Sequence, residues 1–561
     1  GNAGGIISQF EREKMAACHL ELAPGAREKV FIQRFYLYLN VTKPSDFLYV
    51  TFSKVNADGK ALRRSYFAGT LLKMFPEKTV EEIGETTSAD CIMTPESSMA
   101  FFLEGLQDGA WPGENEKTAS GEDQTEEKLS KPAKKEVWNA LAKFYLSDEN
   151  WKEEAVRLLK ASYVVHSDEP ISHAVTQALY GTVLENSVTR LERFAACAYA
   201  HYLNYGLRLK ERQLLEFASV DMGNIYHDAL EHFSRRVEKS EYTWFDIPED
   251  VQETFIEESM NDAIAGCKNA GAFENVRNRY LTGRMRQTIK RTVWALTTQI
   301  QKGKFVPADF EVSFSRADKL DAIRFQLSDE EKMNLLGRID RVDTYETSDK
   351  VYVKIIDYKS GNTSFSLVNL YHGLQLQLVV YMNAALELEE KRHPGKKAEP
   401  AGIFYYHIQN PIVDGLGNET EAEIRNSVLE QLKLNGLVND DPEIYEAMDS
   451  DFAGNSSVIP IGKKADGSLK ATSKAASTYD FSVMSDYVKE KIKETGKKIF
   501  AGDISIHPYS LDGKSGCDYC PYHTVCGFDA RMPGYSYHKL EKFDSADEVL
   551  KRMENEKQEQ K

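Results

Sequence analysis

Two short segments, LLGRIDRVDTYE (335–346) and VYVKIIDYKSG (351–361), flank the turn signal TSDK (347–350). Both are rich in β-branched and aromatic residues, and the turn between them is short, so they are expected to form an antiparallel hairpin. A loop at TSDK sets Asp340 opposite Asp357, where Cβ atoms lie roughly 4.5–5.5 Å apart. Lys359 is two residues beyond Asp357 and shares its face, while Ile339, Ile356 and Tyr358 are expected to face a core. The arrangement depends on register, because a slip of one residue sends every side chain to the opposite face.

Two carboxylates at that distance repel each other. A divalent cation between them removes the conflict, and hard oxygen ligands suit Mg²⁺ or Mn²⁺. A lysine beside such an ion can orient a water or stabilise developing negative charge, which is what phosphodiester hydrolysis needs. The plainer reading is a surface hairpin with an ordinary ion pair. The apolar run VYVKII and the following Gly361 weigh against it.

The surrounding pattern is α/β. FVPADFEVSFS and DAIRFQL read as strands ahead of the hairpin. YHGLQLQLVVYMNAALELEEKR (371–392) reads as one long helix, and AGIFYYHIQN (401–410) as a strand. Residues 136–240, 418–450 and 480–500 read as helical, 463–477 as a polar loop, and the tail ENEKQEQK as frayed. Nearer the start, 27–42 reads as a helix, DFLYVTFSKV (46–55) as a strand and ADGK (57–60) as a turn. Residues 111–135 are polar and charged, as in a solvated linker. The sum is a small mixed sheet flanked by helices, with long helical insertions. No apolar run reaches the 18 residues of a membrane span, and the N-terminus lacks a signal peptide's basic start and apolar core.

Seven cysteines are present, three of them within GCDYCPYHTVCGFD as Cys517, Cys520 and Cys526. Three thiolates at this spacing converge on one metal ion or cluster in a reducing compartment, so the chain is expected to be cytoplasmic. Spacing leaves the fourth ligand open between His523 and a distant cysteine, and leaves zinc and iron–sulfur equally open. Cys18, Cys91 and Cys267 are expected to be buried thiols.

The net charge of -17 excludes a generally basic coat for nucleic acid. Residues 277–304 reverse the sign, with eight Lys/Arg and no Asp or Glu. Arg277, Arg279, Arg284, Arg286, Lys290 and Arg291 are candidates for a phosphate-tracking surface, or else a solvated helix paired with acidic neighbours. Arg190, Arg193, Arg208, Lys210 and Arg212 form a weaker second patch.

GRIDRVD followed by IIDYKSG resembles the nuclease domain of the RecB-type PD-(D/E)xK exonucleases. The resemblance implies a restriction-endonuclease-like core in which Asp340 and Asp357 hold Mg²⁺ (or Mn²⁺). It also makes His227, in DMGNIYHDALEHF on a helix after Gly223, a further ligand, with Lys359 assisting the attacking water. Gln377 and Tyr381 match a Gln-x-x-x-Tyr motif that would position DNA or water, and Glu311 is a weaker candidate to approach the site.

SVTRLERFAACAYAHYLNYGLRLKER (187–212) is similar to the segment ahead of the nuclease core in the B subunits of bacterial AddAB helicase–nucleases. That likeness implies a [4Fe-4S] cluster on Cys197, Cys517, Cys520 and Cys526, clipping the ends of the domain together and serving DNA-end binding. Ala198 stands where the family usually has proline.

FYLYLNVTKPSDFLYVTFSK (35–54) resembles the last helicase motif region of the same family, but Lys43 and Pro44 replace the nucleotide-sensing arginine, which puts motor activity in doubt. The implied organisation is the end of an inactive helicase-like domain (1–110), a linker and helical connector (111–180), a nuclease domain (181–540) and a tail (541–561), within a longer protein. The implied partner is the helicase subunit AddA, and the implied substrate is DNA at duplex ends and as single strands, processed for recombination. A catalytically silent DNA scaffold and a stand-alone Cas4-type nuclease are the alternatives.

Overall fold

The expected hairpin forms, and a sheet is built around it. The structure, a computed structural model, describes all residues except 1–8, 21–22, 55–60, 82–91, 111–130, 213–218, 268–275, 315–319, 321–322, 414–419, 451 and 560–561. Strands β1 (Val183–Ser187), β2 (Val306–Phe314), β3 (Arg324–Gln326), β4 (Lys332–Glu346), β5 (Lys350–Lys359), β6 (Lys397–His407), β7 (Asn435–Asn439) and β8 (Ala475–Ala476) share one mixed sheet. Its order is β1-β4-β5-β6-β7-β8, with β2 and β3 also paired to β4. β4 and β5 run antiparallel from Glu346 beside Val351 to Arg341 beside Ile356, the register that a loop at 347–350 dictates. The loop is tighter than TSDK suggests: Lys350 already belongs to β5, and Thr347 N–H donates to Lys350 O at 2.9 Å.

Helices cover both faces. They are α1 (Val188–Ala196), α2 (Ser219–Lys239), α3 (Glu249–Gly266), α4 (Val276–Gln301), α5 (Gln377–Arg392), α6 (Thr478–Phe500) and α7 (Ala546–Glu559). Val351, Val353 and Ile355 pack into one core with α1, α5, α6 and α7. Tyr352, Ile356 and Tyr358 pack into a second with α2, α3 and α4. Burial on both faces explains why VYVKII is almost continuously apolar. β5 and β6 are parallel, which requires a crossover, and α5 supplies it.

One expectation about facing fails. Ile339 lies in the first core with Val342, not in the second with Ile356 and Tyr358. Two residues three apart share a face, so the strict alternation slips at Asp340–Arg341. Just beyond the slip, Arg341 is fully buried against Trp244 and grips Asp343 through two bonds of 2.6 and 2.8 Å. Lys354 Nζ, also buried, joins the same carboxylate at 2.8 Å.

Several boundaries differ from the pattern reading. The helix expected from Tyr371 starts at Gln377, because the chain turns at Gly373 with φ +77, a conformation that favours glycine. Residues 418–450 contain β7 as well as two helices, Glu421–Gln431 and Pro442–Met448. β8 interrupts the loop expected at 463–477. The tail is not frayed up to Glu559: α7 buries Val549 and Met553 completely.

The chain divides into two compact units, 1–163 and 164–561. In the first, helices Pro95–Ala110, Lys131–Ser147 and Lys152–Ser162 close a small core around Phe102 and Tyr145. Residues 131–135, expected in the linker, begin the second of these helices. The helix expected at 27–42 is present as Ala26–Thr42, but 46–54 form no strand and leave Phe47 and Tyr49 exposed. The expected turn at 57–60 and most of the linker lie outside the described residues.

Candidate active site

β4, β5, α2 and α5 converge at the carboxyl end of β5. Asp340 Oδ2 accepts from the Tyr358 amide at 2.7 Å, which pins the Asp340 carboxylate beside Asp357. α2 begins at Ser219, ahead of Gly223, and crosses so near Ser360 that a Cβ on Gly223 would stand 3.2 Å from its hydroxyl. That approach places His227 Nδ1 3.3 Å from Asp340 Oδ2. β2 brings the third member. Phe310 and Val312 pair with Arg341 and Ile339, so Glu311 falls opposite Asp340, with its backbone in the left-handed region at φ +52. Ligand atoms of His227, Glu311 and Asp340 lie within 4.8 Å of one another. Asp357 stands next to this trio but outside it, turned toward Lys359 and Gln377.

A clasp on α5 holds that second pair. Gln377 Nε2 donates to Asp357 Oδ1 at 2.8 Å and to Tyr381 Oη at 3.0 Å, and Gln377 Oε1 accepts from Lys359 Nζ at 3.2 Å. Lys359 Nζ lies 2.5 Å from Asp357 Oδ2. These residues, His227 and Arg338 line one cleft of about 510 Å³. The structure therefore gathers all six candidate catalytic residues and adds Glu311, whose opposition to Asp340 depended on a β2–β4 register that no short loop announces. The buried Glu192 was also missed; its amide contacts with α5 cross 184 residues of sequence.

Charge at the site is unbalanced. Burial and the neighbouring Asp340 push Glu311 up to about 7, against Arg338. Burial and Asp340 push Asp357 up to about 6, against Lys359. Burial opposes protonation of His227, but the hydrogen bond and charge of Asp340 prevail and raise its pKa. Glu311 Oε2 and Asp357 Oδ2 are buried and accept no hydrogen bond of good geometry, although Arg338 and Lys359 stand 2.5 Å away. Buried carboxylate oxygens in this state fit a hard divalent cation.

The cysteines form a second locus. Cys197 ends α1 in an extended conformation, and the 517–526 loop comes to it. Gly516 permits the approach: a Cβ there would meet Ala196 O at 2.6 Å. Burial, then the charges of Cys197, Cys520 and Cys526, push the Cys517 thiol up to about 11. Among the described residues no three of these sulfurs lie within 4.8 Å of one another. His523 Nε2 bonds to Cys517 O at 2.8 Å, which turns it from the role of fourth ligand. Of the cysteines expected to be buried, Cys18 is exposed and Cys267 half-buried at the cleft, while Cys91 lies outside the described residues.

The basic run forms α4. Arg286 pairs with Glu257 and donates to Asn261 Oδ1 at 2.7 Å, and Lys290 Nζ lies 3.2 Å from Glu253 Oε1. Those two cations are partnered by α3, as the solvated-helix reading holds. Arg279 and Arg284 are exposed, and Arg291 lies over Trp294 at 5.3 Å. The side chain of Arg277 lies outside the described residues. No helix among the described residues is long and apolar enough to cross a membrane.

Comparison with known proteins agrees with this geometry. Three curated relatives are each named as the B subunit of an ATP-dependent helicase/deoxyribonuclease. That of Lachnoclostridium phytofermentans is 34% identical over 547 residues, 96% of this chain and 44% of the relative. That of Clostridium tetani is 32% identical over 97% of this chain and 46% of the relative. That of Bacillus cereus is 30% identical over 98% and 46%. The chain thus spans about half the length of the curated relatives it matches. The profile of the PD-(D/E)XK nuclease superfamily matches residues 185–527, which contain the whole cleft together with Cys197, Cys517, Cys520 and Cys526. The chain belongs to the PD-(D/E)XK nuclease superfamily.

Proposed function

We propose that this chain hydrolyses DNA phosphodiester bonds with the aid of Mg²⁺ or Mn²⁺. The observation that carries the reading is the convergence of His227, Glu311 and Asp340 beside the Asp357–Lys359 strand end. His227, Asp340 and Asp357, with Glu311, would hold the cation. When bound, such an ion polarises the phosphate and lowers the pKa of its water. Lys359, fixed by Asp357 and Gln377, presents positive charge where the attacked phosphate gains negative charge. Tyr381 and Arg338, at the cleft wall, are placed to contact the DNA strand.

The wider assignment follows the relatives' names. Unit 164–561 is the nuclease, and the preceding unit is the end of a helicase-like domain without motor function. The whole protein would work with a helicase partner, AddA, on DNA ends destined for recombination. Arg279, Arg284 and Arg291 would lie along the DNA path; Arg286 and Lys290 would contribute only by exchanging their partners on α3. Cys197, Cys517, Cys520 and Cys526 would hold a [4Fe-4S] cluster. A single zinc ion would need sulfur separations of about 3.8 Å, given Zn–S bonds of about 2.3 Å. A cubane cluster holds its thiolates farther apart, in keeping with the wider spacing here.

The test is cleavage of end-labelled single-stranded DNA by the full chain. Cutting is expected with magnesium or manganese and should stop with chelator or in Asp357→Ala. Silence of the parent protein with both metals would overturn the reading and favour a DNA scaffold.

A further inference from the structure

Glu192 belongs to neither of the two loci, yet it touches the frame of one and rides on the element that ends at the other. It sits on α1, and its Oε1 accepts from the backbone amides of Leu376 and Gln377 at 2.8 and 3.2 Å. Those amides open α5, whose N-terminal residue Leu376 offers no side-chain cap of its own. A helix start leaves unpaired N–H groups, and a carboxylate there satisfies them and complements the helix dipole. Gln377 is the first residue of α5, and its side chain holds Asp357, Lys359 and Tyr381 together. The main chain that Glu192 grips therefore carries the clasp on the strand-end pair.

The far end of α1 is anchored as well. Arg193 Nη2 lies 3.6 Å from Cys520 Sγ, and the amide of Cys197 donates to Arg193 O at 3.0 Å. One nine-residue helix thus runs from the cysteine loop to the start of α5. Burial pushes Glu192 up to about 7 against the two amide bonds, with Lys359 and Asp357 close enough to act on it.

We propose that Glu192 is a positioning residue, which by capping α5 sets the Gln377 clasp and so the placement of Lys359 and Asp357 for reaction. Its kinetic consequence rests on the nuclease reading; its structural consequence does not. What matters is an acceptor at this position, and a neutral glutamine, whose Oε1 accepts the same two bonds, should serve.

The experiment compares the full chain with Glu192→Ala and Glu192→Gln. Backbone hydrogen exchange is followed over residues 374–381, and cleavage kinetics on single-stranded DNA are measured with manganese. In Glu192→Ala, exchange at residues 376 and 377 should rise, and kcat should fall by about tenfold to a hundredfold, with KM for DNA within about twofold. Glu192→Gln should recover protection, and kcat to within about threefold of the parent. Unchanged exchange in Glu192→Ala, a loss confined to KM, or a glutamine variant as impaired as alanine would each overturn the proposal. A parent that cuts no DNA would sink the nuclease reading alone, and exchange at 376–377 would then decide for or against Glu192.

Discussion

At the scale of single residues, the site is an excess of buried negative charge that suits a cation. Asp357→Ala and Lys359→Ala are each expected to lower the cleavage rate by at least about a hundredfold, as judged by product formed under saturating metal. The raised pKa values fix a pH dependence. Glu311 near 7 and Asp357 near 6 retain protons that a cation must displace, and His227 must also be neutral to bind it. Metal affinity should therefore rise as pH increases from about 6 to about 8; titration with Mn²⁺ at several pH values would show it, and a flat or falling profile would refute it. The opposition of Asp340 and Asp357 was legible because a short loop fixes register between neighbouring strands. Glu311 and Glu192 were not, since their partners are distant in sequence: 29 positions separate Glu311 from Asp340, and no turn links them.

At the scale of elements, β4 and β5 carry both the site and its support. Arg341, Asp343 and Lys354 form a buried group of two cations on one carboxylate, immediately behind the site. Burial opposes ionisation of Asp343, but Arg341 and Lys354 outweigh it and hold its pKa low. Asp343→Ala leaves both cations unpaired and should lower unfolding stability by about 3–5 kcal/mol. Urea denaturation would measure this, and a loss below about 1 kcal/mol would count against the group's role. GRIDRVD showed these residues in plain view, but alternation alone marked them as solvent-facing. Only cover from α2 and α4 over that face makes them interior. The same limit explains the missed β7: a strand of five residues between helices has no length of pattern to announce it.

At the scale of the whole molecule, the ends of the nuclease unit are tied into its core. Truncation after Ser545 would remove Val549 and Met553, both fully buried, at a cost of about 1.5–3 kcal/mol for each side chain. The thermal midpoint of the shortened chain should fall, and an unchanged midpoint would show that α7 adds nothing. Anaerobically purified protein should contain iron and absorb in the visible range, whereas a colourless zinc protein would contradict the cluster assignment. The α/β class and the central sheet were readable from strand and helix periods. The division at 163/164 was not, because the helices on either side have similar composition.

The most direct measurement is Mn²⁺ binding to the full chain, followed by electron paramagnetic resonance. It interrogates the carboxylate site without requiring the remainder of the relatives' length, which this chain does not span. The account predicts bound manganese in the parent protein and at least about a tenfold loss of affinity in Asp340→Asn. Absence of binding, or equal affinity in the two proteins, would contradict it.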